Sequence, residues 1–119
     1  MASTKITYDN AFFGKIAENI PAGEHTLTFE SVSYVMRNNA PIAVNIEVEE
    51  NYNPIYINLL NKINVRIFDD FLTELGVTER HPDKINKKAG QSFYVRMEAN
   101  GDFLNPRFKK RFDPNKASK

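Results

Sequence analysis

The 119-residue chain has no cysteine and no tryptophan, only two histidines, and no long apolar run. Without cysteine there can be no disulfide, no thiolate metal site and no thiol nucleophile, whatever the compartment. His25 and His81 lie far apart with no carboxylate at a recognised ligand spacing beside either, so neither a metal site nor a cofactor is expected. No segment approaches the roughly 18 apolar residues of a membrane-spanning helix, and the start MASTKITYDN lacks the apolar centre of a secretion signal. The expected location is therefore the cytoplasm, with no membrane partner. Phosphate-cradling glycine loops and nucleophile elbows are missing too. Asp69, Asp70 and Glu74 fall together on a predicted helix, but neighbouring helical residues point about 100° apart. That arrangement suits a solvated face better than a metal-binding carboxylate set, and no enzymatic activity is expected.

What is present is a folding composition with an uneven charge distribution. At 41% hydrophobic and 26% charged residues the chain should fold, and its length suits a single core. The net charge of +1 hides an asymmetry. Met1 to Asp83 carries six basic residues against twelve acidic, whereas Lys84 to Lys119 carries ten basic against three acidic. A basic final third on a nearly neutral chain points to a polyanionic partner.

Periodicity organises the chain into an N-terminal arm (1–23), a domain (24–112) and a flexible C-terminal tail (113–119). The arm carries Ile6, Tyr8, Phe12, Phe13 and Ile16, more apolar surface than a solvated tail needs, and is expected to pack on the domain. The first strand places Leu27 and Phe29 on one parity and Val32, Tyr34 and Met36 on the other. A β-bulge near Glu30 and Ser31 explains that slip, and a long bent first strand is what a small barrel requires. Ile42, Val44, Ile46 and Val48 form a second strand, and Ile55, Ile57 and Leu59 a third. The period then changes to about 3.6 residues, with Val65, Phe68, Leu72 and Leu75 as one stripe flanked by Ile67 and Phe71. Asn64 is the expected N-cap of this helix and Gly76 its left-handed terminator. Thr78 to Gly90 reads as a loop with room for one helical turn. Phe93, Val95 and Met97 mark a fourth strand, Asn100-Gly101 a two-residue hairpin turn, and Phe103 the start of a fifth strand. Pro106 makes that last strand an edge or a bulge. Three strands, a helix and a hairpin give the order of a mainly β, five-stranded OB-fold barrel with one α-helix between strands 3 and 4; a swapped α+β sheet is the competing arrangement.

Arg96, Phe103, Arg107, Phe108, Lys109, Lys110, Arg111 and Phe112 interleave cations with aromatic rings. Single-stranded nucleic acid calls for both, since cations follow phosphates and rings stack on unpaired bases. The competing role for the phenylalanines is the core, most strongly for Phe108. Tyr56 and Tyr94 are opposite in parity to their core neighbours and are expected to point outward as stacking residues. Tyr34 shares parity with Val32 and Met36, so core and binding roles stand level. Arg37, at the tip of the first hairpin, and Lys109 and Lys110 are expected phosphate contacts.

The segments FDDFLTELGV, KKAGQ and SFYVRMEANGDFLNPRFKKRFDP resemble small phage single-stranded DNA-binding proteins of the lactococcal phage type. The resemblance implies an OB fold, no catalysis, and work in phage DNA replication or recombination in the host cytoplasm beside a recombinase or annealing protein. It also implies a groove that maps to Tyr34, Arg37, Tyr56, Tyr94, Arg96, Phe103 and Arg107. Bacterial relatives end in an acidic recruiting tail, whereas this chain ends FDPNKASK, with Lys116 and Lys119. Open strand edges and an apolar arm suggest a homodimer. A structural or assembly protein of a phage particle, using Phe12 and Phe13, is the alternative function, and RNA is the alternative nucleic acid.

Overall fold

The computed structural model describes residues 18–110. Its elements are β1 (Gly23–Arg37), β2 (Ala40–Val48), β3 (Ile55–Asn58), α1 (Lys62–Leu75), α2 (Pro82–Asn86), β4 (Ser92–Asn100) and β5 (Phe103–Arg107). The strands form one antiparallel sheet in the order β3-β2-β1-β4-β5. Most of the arm, with Ile6, Tyr8, Phe12, Phe13 and Ile16, lies outside the described residues, as do Arg111, Phe112 and the tail.

Strand β1 is the centre of the sheet because it changes partner along its length. Gly23 to Thr28 pair with β4, and Phe29 to Arg37 pair with β2. The register slips between Phe29 and Ser31, which is the bulge expected at Glu30. Leu27 and Phe29 are buried before it, and Val32 after it, so the extra residue keeps both halves of a bent strand facing one core. Backbone groups at the bend find partners outside the main ladder. The Thr28 N–H and hydroxyl donate to the two Glu50 carboxylate oxygens, each at 2.9 Å. The Glu49 N–H donates to the Thr28 carbonyl, the Phe29 N–H to the Gln91 carbonyl, and the Gly90 N–H to the Phe29 carbonyl. Past the bulge, the Asn86 side chain accepts from the Val32 N–H at 2.8 Å and donates to its carbonyl at 3.5 Å, taking the place of a neighbouring strand.

Helix α1 buries Ile67, Phe68, Phe71, Leu72 and Leu75 against the core side of the sheet. Phe71 is the hub, with ring centroids 5.1–5.6 Å from Phe108, Phe93 and Phe29. Truncating a ring so enclosed costs about 3–5 kcal/mol. The helix starts earlier than its apolar stripe suggests: the cap is Asn61, whose side-chain oxygen accepts from the Asn64 N–H at 2.8 Å. The first turn hides from the periodicity because Ile63, which sits in it, is exposed. Gly76 ends the helix with φ 77° as expected, donating to the Leu72 and Thr73 carbonyls. Within the expected loop, Pro82 and the His81 cap start the short helix α2.

The β1–β2 and β4–β5 hairpins have two-residue turns. Asn38 and Asn39 carry positive φ of 53° and 64° between Arg37 and Ala40, as the primed turn requires. In the second, Asn100 pairs with Phe103, so the turn residues are Gly101 and Asp102, one position later than expected. Gly101 takes the positive φ, 65°. Pro106 does lie on an edge strand, since β5 ends the sheet. Among the described residues the sheet is not closed into a barrel by hydrogen bonds: β3 and β5 are its two edge strands and do not pair with each other.

The Glu50 brace gives a pH-dependent prediction. Partial burial favours the neutral acid, but the hydrogen bonds from Thr28 prevail and hold the Glu50 carboxyl below its ordinary range. Its contribution is therefore complete above the ordinary glutamate value of about 4.3 and is lost as pH falls through the lower folded value. Urea unfolding of Glu50→Gln at pH 7 should show a loss of about 1 kcal/mol, and the gap from the unmodified chain should narrow below about pH 4. A gap that stays constant with pH contradicts the brace.

Candidate nucleic-acid interface

The edge strands β3 and β5 line the same space. One cleft, of about 340 Å³, is walled by Asn19, Ile20, Asn53, Pro54, Ile55 and Tyr56 on one side and by Met97, Asp102, Phe103, Leu104 and Pro106 on the other. A second, of about 450 Å³, is bounded by Tyr56, Ile57, Asn58, Ile63, Asn64 and Ile67 and by Phe103 to Arg107. Tyr56, Phe103, Leu104 and Pro106 belong to both, so the two clefts form one groove between the sheet edges.

Local sequence sets this lining. In β3 the inward residues are Ile55 and Ile57, leaving Tyr56 58% exposed. In β5 the turn at Gly101 presents Phe103 at the strand start, 74% exposed. The remaining polar lining is mostly amide, from Asn19, Asn53, Asn58, Asn64 and Asn105, with Asp102 and Arg107 as the charged members. Two open rings and surrounding asparagine amides over an apolar base of Ile20, Ile55, Ile57 and Ile67 suit flat, neutral, hydrogen-bonding groups such as nucleobases.

Of the residues expected from sequence, the groove unites Tyr56, Phe103 and Arg107. Lys109 and Lys110 follow closely on β5 and are exposed, but they line neither cleft, and Lys110 lies over the Tyr94 ring. Tyr94 does not point into solvent. It is 8% exposed, with Lys110 Nζ 5.7 Å from its ring centroid and Arg96 Nη1 3.4 Å from its hydroxyl. Parity places a residue on one side of its sheet but not beyond the reach of another segment, and the chain after β5 folds back over this ring. Arg96 is likewise enclosed: its side chain is 15% exposed and joined to Glu98 at 2.6 Å. The Tyr94 hydroxyl and the Glu98 carboxylate together raise its pKa against the opposing effect of burial.

Tyr34 takes its core-side role. Its ring meets Phe68 edge-on at 6.0 Å, its hydroxyl donates to the Arg80 carbonyl, and burial raises its pKa. It lines a separate small cavity with Pro41, Leu59, Val65, Phe68 and Arg80. Arg37 is exposed at its hairpin tip, apart from the groove lining. Phe108 is fully buried. Lys84, Lys87 and Lys88 belong to the α2 region and line neither cleft. Sequence reasoning missed the asparagines and Leu104; Asn58 could have been found, since it shares the outward parity of Tyr56.

Compared with protein-family models and with curated proteins, the chain gives no match. Among the described residues no helix is long and apolar enough to cross a membrane, and no group of three or more His, Asp or Glu side chains is placed to hold a metal ion.

These burial differences are testable without a ligand. Replacing both Tyr56 and Phe103 by Ala should change unfolding free energy by less than about 1 kcal/mol, as exposed positions do. Tyr94→Ala should cost about 2–4 kcal/mol. Equal losses in chemical denaturation would mean that the groove rings are packed.

Proposed function

We propose that the chain is a sequence-independent single-stranded DNA-binding protein, built as an OB fold whose barrel is open between β3 and β5. The observation that carries this reading is the pair of exposed rings, Tyr56 and Phe103, presented from opposite sheet edges to one groove. A base entering that groove gains stacking on either ring, worth about 1–3 kcal/mol per base. Such stacking is available to unpaired bases and not to a duplex interior. Asparagine amides along the groove can meet base edges of any identity, which favours tolerance of sequence. Arg107 in the groove lining, with Lys109 and Lys110 just beyond it along the chain, would supply cations for the phosphates.

The fold supports the same reading. A first strand shared between two partners, a helix inserted after the third strand, and a final hairpin together match the order of oligonucleotide-binding barrels. The resemblance of the α1 to β5 segment to small phage single-stranded DNA-binding proteins adds the context: coating of DNA during phage replication or recombination, alongside a recombinase or annealing protein, by a homodimer in the host cytoplasm.

The test is fluorescence anisotropy with labelled oligo-dT, oligo-rU and a duplex of equal length at several salt concentrations. Single-stranded DNA should bind more tightly than duplex, with a logarithmic salt slope of about −0.7 per phosphate contacted. The Tyr56→Ala, Phe103→Ala double variant should lose at least about tenfold in affinity. Equal affinity for duplex and single strands contradicts the proposal. A large assembly that forms without nucleic acid and ignores all three probes would instead favour a particle-assembly protein.

A further inference from the structure

The outer face of the β4–β5 hairpin holds a charge arrangement that simple phosphate binding does not require. Alternate strand residues share a face, and the register sets Arg96 opposite Arg107 and Glu98 opposite Asn105. The Glu98 carboxylate thus lies between two guanidinium groups. One oxygen takes Arg96 Nη2 at 2.6 Å and Nε at 2.7 Å. The other stands 3.6 Å from Arg107 Nε.

The two arginines are held very differently. Arg96 is bound on both sides of its fork, since its Nη1 also lies 3.3 Å from the Lys109 carbonyl, and it is 15% exposed. Arg107 makes the long approach to Glu98 and a weak contact to the Pro106 carbonyl at 3.5 Å. It is 37% exposed and lines the groove beside Phe103. Arg107 is therefore able to exchange its anion, and Arg96 is a positioning residue that fixes the carboxylate.

We propose that Glu98 is a built-in competitor of the DNA phosphate for Arg107, a carboxylate that a backbone phosphate must displace on binding. This rests on the single-stranded DNA reading of the groove. The competitor weakens the attraction that any polyanion feels, duplex included, and leaves ring stacking untouched. It thereby shifts selectivity toward unpaired strands.

The experiment uses the full chain with Glu98→Gln, oligo-dT, a duplex of equal length and a heparin column. Glu98→Gln should bind oligo-dT about twofold to fivefold more tightly, the scale of one exposed ion pair released, with a salt slope steeper by about 0.7. Duplex affinity should rise at least as much, so the preference for single strands narrows. In an Arg107→Gln background the gain should vanish. Asn105→Asp, which adds a carboxylate at the facing position, should weaken binding more in the presence of Arg107 than in the Arg107→Gln background, a difference that loss of a groove amide would not give, and it decides the question if thermal unfolding shows that Glu98→Gln folds poorly. A folded Glu98→Gln that binds oligo-dT no better than the unmodified chain, or a gain that survives loss of Arg107, overturns the proposal. If the unmodified chain ignores oligo-dT, the DNA reading itself has failed. Heparin then decides: Arg107-dependent later elution of Glu98→Gln upholds the competition, and unchanged elution overturns it.

Discussion

The change of partner along β1 is the constraint on which the rest of the structure depends. One strand serves β4 up to Thr28 and β2 from Phe29, and a continuous ladder cannot bend that sharply without an extra residue. Glu30 is that residue, and it puts Leu27, Phe29 and Val32 into one core despite their mixed parity. Glu50, Gln91, Gly90 and Asn86 take up backbone groups that the bend exposes, because unpaired polar groups there would each cost about 1–3 kcal/mol. Curling the sheet around Phe71 follows from the bend, and it brings β3 and β5 to the same groove.

Under the proposed single-stranded DNA reading, function depends on the sheet stopping short of closure. Were β3 and β5 hydrogen-bonded, Tyr56 and Phe103 would be neighbours on a continuous surface; with the two strands not paired to each other, they flank a gap. Rings and cations then divide the work. In the proposed role the rings would distinguish unpaired bases, while the nearby cations would attract any polyanion. The Arg96–Glu98–Arg107 cluster sits beside the groove lining, where the proposed competition would limit the less selective force.

Much of the fold was legible because its local signals agree with one another. The parity slip in β1, the period of α1, Gly76 and the two hairpins each answered to a physical requirement of the backbone. Tyr56 was legible for the same reason, since it occupies the outward parity of a short edge strand and stays open there. Tyr94 and Arg96 were not. Phe108 buries itself against Phe71 and Phe93, and in doing so carries Lys109 and Lys110 over the outer face of β4. Those contacts join Arg96 to Lys109 and Tyr94 to Lys110, pairs too far apart in sequence to leave a local period. The Glu98 partnership had a local sign, because Arg96 and Glu98 are two apart on a strand and share a face. Closure of the sheet had none, since it depends on the separation of two edges that never pair.

Photo-crosslinking with a 5-iodouracil oligonucleotide, followed by peptide mapping, tests most directly whether DNA lies between the sheet edges. Adducts on Tyr56 of β3 and Phe103 of β5 are predicted, suppressed by competing unlabelled single strands and not by duplex. Adducts confined to the α2 region around Lys84, Lys87 and Lys88, with none on either edge strand, would contradict the account.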